Sequence, residues 1–197
     1  MSKMPMSQLF ATLAAIGVLL SMSPVLARVD VRVQFEEKFD FTQVRTWSWP
    51  AGDKGQVLMA RSADDDAKVS QALAEPFIVD AVAKEMTNRK LKPAASAADA
   101  DVTAFYYLLL TTTMNAQEMG QFFSANVHWR LPNFPAATQS LEMVNAGTLV
   151  LDLSAKGNLV WRGVANAKIP FEIETKKREA LVREAVRDML RRYPPKK

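Results

Sequence analysis

The stretch "GTLVLDLSAKGNLVWRGVA", Gly147 to Ala165, decides how this chain folds, because two apolar-rich runs flank one short polar turn. Lys156, Gly157 and Asn158 between runs of strand-forming residues predict a β-hairpin. With the turn centred on Gly157, Asp152 falls opposite Arg162 and Val150 opposite Val164. Leu149, Leu151 and Leu153 then share the other face with Leu159, Trp161 and Gly163. A slip of one residue would set Asp152 against Trp161 and Arg162 among the leucines, so the charge pattern selects the first register. In that register the pair acts as a staple, worth ~0.2–1 kcal/mol as an ordinary cross-strand ion pair. A ligand-binding Arg162 is the competing reading.

Downstream of the hairpin, Leu181, Val182, Ala185, Val186, Met189, Leu190 and Tyr193 recur at helical spacing. Thr175 suits the N-cap of this helix, and Pro194 with Pro195 stop it. Upstream, "VTAFYYLLLTTT" from Val102 to Thr113 is apolar on both faces and predicts a central strand. Ile78, Ala81, Val82 and Met86 mark a second helix, bounded by Pro76 in its first turn and by Lys92 and Pro93. "AASAADAD" reads as a linker, and Gly52 to Asp66 as a polar loop.

Nearer the N-terminus, "RVDVRVQFEE" alternates without fault, and a strand from Arg45 to Trp49 follows, with Trp47 and Trp49 on one face. Met114 to Gly120 reads as a turn, "QFFSANVHWR" as a strand and "LPNFPAATQSLEMVNA" as a loop. The pattern predicts an α+β domain: a mostly antiparallel sheet of about six strands with two helices packed on one face.

The first 27 residues stand apart. Lys3, the 12-residue apolar run Leu9 to Leu20, and "SPVLA" ending at Ala27 follow the plan of a secretory signal, cleaved between Ala27 and Arg28. The run is shorter than the ~20 residues a membrane-spanning helix needs. Residues 28–197 then make one domain, large enough for a packed core. The chain has no cysteine, so neither a disulfide framework nor a lipid attached through an N-terminal thioether is open to it. Without Lys3 the net charge is about +3, too weak to imply nucleic acid. The basic C-terminal segment reads as a solvated helix face laced with pairs such as Glu179 and Arg183, in preference to a surface for anionic lipid.

Chemistry-bearing motifs are scarce. His128 is the single histidine, and Ser124 shares a strand face with it without any nucleophile elbow. Asp64 to Asp66 lack a glycine-bearing ligand loop and suit a helix N-terminus better than a cation. The sequence therefore points to no catalytic residue, metal or cofactor. Carboxylates alone could serve a glycoside hydrolase, but none is singled out by its surroundings. Trp47, Trp49 and Trp129 are the candidate surface for a ligand or partner, with Arg162, although tryptophans on strands more often fill a core.

The hairpin "GTLVLDL" to "LVWRGVA", the terminal "RRYPP", "VRTWSW", the helix from Pro76 to Leu91 and "ADADVTAFYY" together resemble the bacterial envelope family called domain of unknown function 4136. The likeness spans most of residues 28–197 and is least at Met114 to Ala146. It implies an α+β fold and a secreted or lipid-anchored envelope protein, mainly of Gram-negative bacteria, with no catalytic residues to carry over. The missing cysteine departs from the lipoprotein members. The expectation is a non-enzymatic periplasmic accessory or binding protein, its partner an envelope protein, lipid or glycan; an envelope hydrolase working through carboxylates is the alternative.

Overall fold

The computed structural model describes residues 29–60, 67–111, 147–167 and 174–195. Among them, one sheet is built from β1 (Asp30–Phe35), β2 (Thr46–Ser48), β3 (Gly55–Ala60), β4 (Lys92–Pro93), β5 (Val102–Thr111), β6 (Gly147–Ala155) and β7 (Asn158–Ala167). Two helices, α1 (Ala67–Asn88) and α2 (Thr175–Leu190), accompany it. The strand order is β1-β7-β6-β5-β2-β4, and β3 continues along the β2 side of β5.

The α+β class stands, but the sheet has seven strands and is mixed, where the sequence predicted a mostly antiparallel one. β1, β7, β6 and β5 are antiparallel neighbours, whereas β2 and β3 run parallel to β5 and β4 runs parallel to β2. The cause is α1, which lies between β3 and β5 and returns the chain to the same end of the sheet, as a parallel crossover requires. β3 itself lies inside the segment predicted to be a loop. Six residues flanked by polar ones carry little strand signal, and the full-length ladder to β5 supplies what propensity does not.

α1 also starts at Ala67, well ahead of the predicted boundary at Pro76. A proline inside a helix leaves the carbonyl four residues earlier without its bond. Here Ala72 and Pro76 both lie on the exposed side of the helix, open to solvent. The stripe read from the sequence holds: Ile78, Ala81, Val82 and Met86 are buried. The helix ends in a Schellman turn, in which Leu91 N–H bonds Met86 O and Lys90 N–H bonds Thr87 O, with Lys90 at a φ of 62°.

The register of the hairpin is the predicted one at Asp152, opposite Arg162, and at Val150, opposite Val164. It changes near the turn. Lys156 and Gly157 both adopt positive φ, 50° and 80°, which makes a two-residue turn and pairs Ala155 with Asn158. The ladder then holds one residue too many in β7, and a bulge follows between Leu153 and Ser154. Leu159 consequently pairs with Ser154 instead of sharing the Trp161 face, and Val160 joins the helix-side core.

Both helices pack on one face of the sheet. Their buried stripes meet Leu149, Leu151, Leu153, Trp161 and Ala165 there. At Gly163 a Cβ would stand 2.6 Å from the Trp161 ring and 3.0 Å from Met189, so glycine is what lets α2 close on β7. Glu174, not Thr175, occupies the N-cap of α2 and makes no side-chain cap bond; its carboxylate still favours the positive end of the helix. At the other end Arg89 donates to Leu190 O and Arg192 donates to Val31 O at 2.6 Å, tying α2 to α1 and β1. Tyr107, Leu109, Val150 and Val164 form a second cluster on the opposite sheet face. The predicted turn, strand and loop over 114–146 and the Asp64–Asp66 run lie outside the described residues.

Candidate functional site

The structure separates the candidate residues. Arg162 is 1 % exposed and Asp152 3 %, on the sheet face away from the helices. Arg162 Nε donates to Asp152 Oδ1 and Nη2 to Oδ2, both at 2.6 Å, a bidentate pairing. Burial raises the Asp152 carboxyl above its ordinary value, and the guanidinium opposes that rise. Beside it, burial and then the Asp152 charge push the Tyr107 hydroxyl up to about 12. Thr148 Oγ1 donates to Asn166 Oδ1 at 2.7 Å on the same strand pair. Arg162 is thus closed in a buried staple, where the sequence reading treated the pair as an ordinary one.

Trp47 and Trp49 stand at the opposite side of the sheet. β2 is held between β5, with Trp47 level with Val102, and β4, with Trp47 level with Pro93. The two indoles meet at 5.7 Å and 77°, and Trp49 continues to Tyr106 at 6.5 Å. Next to them lies an open cleft of about 320 Å³, walled by Trp47, Ser48, Trp49 and Pro50 on one side and by Pro93 and the small residues 94–97 on the other. Trp47 is 4 % exposed and Ser48 8 %, yet Trp47 Nε1 and Ser48 Oγ have no hydrogen-bond partner. Both atoms are out of reach of solvent, on consecutive side chains that β2 turns to opposite faces of the sheet. Sequence reading found the tryptophans but took residues 94–97 as linker; a run of small residues beside a two-residue strand was the available signal.

The strand carrying these indoles is clamped by Asp101. Its Oδ2 accepts from the N–H of Arg45 at 2.8 Å, the N–H of Thr46 at 2.9 Å and the Thr46 hydroxyl at 2.9 Å. These bonds, the one from the Arg45 N–H foremost, hold the carboxyl below its ordinary 3.8. A carboxyl whose pKa is lower folded than unfolded stabilises above the unfolded value, and loses that effect as pH falls through the folded one. Wild type is therefore expected to exceed Asp101→Asn in urea stability at neutral pH. The difference should shrink steadily below about pH 4; a gap independent of pH would contradict the clamp.

No group of three or more His, Asp or Glu side chains among the described residues is arranged to hold a metal. Trp129, His128 and Ser124, with Ala27 and Arg28 at the predicted cleavage site, lie outside the described residues. Trp161 Nε1 and Tyr193 OH are also unpartnered, but they sit in the packed core, ring to ring at 5.7 Å.

A family model described as domain of unknown function 4136 matches residues 31–195. The chain belongs to the DUF4136 family. A crystal structure of a DUF4136 protein from Bacteroides thetaiotaomicron VPI-5482 is 15 % identical, covers 84 % of this chain and 96 % of its own, and superposes with a TM-score of 0.51. That likeness is one of fold. A PDZ domain protein from Parabacteroides distasonis ATCC 8503 is 14 % identical over 87 % of this chain and 38 % of its own, with a TM-score of 0.48. No curated protein matches at a significant level. The DUF4136 match takes in the hairpin, both helices and the cleft strands, so it covers every element on which the sequence resemblance rested.

Proposed function

We propose that this DUF4136 protein is a non-enzymatic accessory or binding domain of the bacterial envelope, exported to the periplasm with loss of residues 1–27. The cleft beside β2 and β4 is the observation that carries the reading. Its wall offers the aromatic faces of Trp47 and Trp49 and several small residues, and none of the described residues that line it is an acid, a base or a histidine. Such a lining suits recognition of a ligand. Export rests on the three-part leader, and the missing cysteine leaves no thioether for a lipid. Among the described residues no helix is long and apolar enough to cross a membrane.

The test uses protein made with its leader in a Gram-negative host. Intact mass of the periplasmic fraction should correspond to a chain starting at Arg28. Crosslinking in envelope extract should capture a component whose yield falls in Ala95→Glu, a change at the exposed rim of the cleft. A mass retaining Met1 in the membrane pellet would refute export. Turnover of a glycan or peptidoglycan panel, abolished by one Asp or Glu substitution, would make the protein the hydrolase instead.

A further inference from the structure

We propose that the outer edge of β1 pairs antiparallel with β1 of a second copy of this chain, about a two-fold axis at Gln34. This edge lies at the other end of the sheet from the cleft and does not rest on the binding-domain reading. β1 has β7 on its inner side. Glu36 donates its N–H to Val160 O at 2.9 Å, and antiparallel pairs alternate, so Asp30, Arg32, Gln34 and Glu36 spend their backbone groups on β7. Val31, Val33 and Phe35 therefore turn theirs outward. Arg192 donates to Val31 O at 2.6 Å, in keeping with that alternation. Val33 and Phe35 are left with N–H and C=O both open, without a partner among the described residues. At the far end of the sheet β4 is closed to such pairing: Lys92 and Ala94 turn their N–H groups inward onto Arg45 O and Trp47 O, and Pro93 between them has none. β1 holds neither proline nor glycine to blunt it.

Two separate features select a second copy and the same register. The open backbone groups are all satisfied when Val33 meets the partner subunit's Phe35 and Phe35 meets the partner subunit's Val33, an arrangement that leaves the Arg192 bond to Val31 intact. Moving either strand by two residues calls on Val31 O and sets Asp30 against the partner subunit's Glu36, or carries Val33 past the end of the partner strand. In the favoured register Arg32 stands opposite the partner subunit's Glu36, and Glu36 opposite the partner subunit's Arg32, so the charges complement each other twice. Within one protomer those two residues are four apart on one strand, about 13 Å, too far to pair. Their complementarity exists only between two copies. On the helix side the half-buried Val33 and Phe35 cover one another across the seam, β-branched against aromatic. So short an edge makes a small interface, and the dimer should dissociate on dilution.

Sedimentation equilibrium of protein purified from the periplasm should give a mass that rises with concentration from one chain towards two. Arg32→Glu and Glu36→Arg each set like charges opposite one another in both pairs, and should each raise the dissociation constant by about tenfold or more. An equimolar mixture of the two variants restores both attractions and should associate as wild type does, which no effect inside one protomer can produce. Because the chain has no cysteine, the register can also be read by crosslinking, independently of those variants. Gln34→Cys places two thiols on the axis, in a non-hydrogen-bonded pair with Cα atoms about 4.5 Å apart and within disulfide reach. Arg32→Cys holds its two thiols about 13 Å apart. Mild oxidation should convert the Gln34→Cys protein to a covalent dimer and leave the Arg32→Cys protein a single chain. A monomeric mass at every concentration, equal crosslinking of the two cysteine variants, or a mixture no tighter than its components would each overturn the proposal. So would a Gln34→Cys adduct to a different polypeptide of the envelope in place of the dimer, which would give the edge to a foreign strand.

Discussion

Asp152→Ala is expected to lower the stability of the domain by about 3–5 kcal/mol, because it strands a guanidinium in a site that is 1 % exposed. Arg162→Ala should cost a similar amount by leaving the carboxylate alone. For a chain of this length the loss corresponds to a melting temperature lower by about 10 °C. The pair is not worth that much in itself. Its 2.6 Å bidentate geometry offsets the desolvation of two charges, so replacing both residues by apolar ones of similar volume should be far milder than either truncation. A double-mutant cycle in urea measures the difference. A coupling indistinguishable from zero would show that the pair is solvated and the staple misread.

Val186→Asp is expected to unfold the domain. Val186 is 0 % exposed in the helix-side core, in the stripe shared with Met189 and Leu190, so a carboxylate there would be buried among apolar side chains. A charge buried without a partner costs more than the whole margin of many domains. The adjacent residue makes the control. Arg187 is exposed and bound to Asp188 at 3.1 Å, so Arg187→Ala should change stability by no more than about 0.5 kcal/mol. Circular dichroism melts of the two variants settle the point: similar transitions would mean that α2 presents a different face to the sheet.

Much of the fold was legible because its signals are local. The stripe of α2 repeats every three to four residues, β1 alternates without a break, and the placement of Asp152 and Arg162 allows only one hairpin register that keeps charge away from the leucines. Even there, the bulge at Val160 escaped, because it follows from two consecutive positive φ values at Lys156 and Gly157, which alternation does not encode. β3 and the first turns of α1 escaped for a different reason: each draws its stability from a long-range neighbour, the β5 ladder and the packed sheet face.

The sequence by itself determined the family, the α+β class, the facing of Asp152 and Arg162 and the absence of thiol chemistry, since each depends on residue type and spacing alone. Only the tertiary structure decided that the charged pair is buried, that the sheet is mixed, and that residues 47–50 and 93–97 wall one cleft. Those three outcomes depend on which strands become neighbours. The parallel crossover through α1 brings β4 and β5 to either side of β2, and no pattern within a single segment records that contact between segments far apart in the chain.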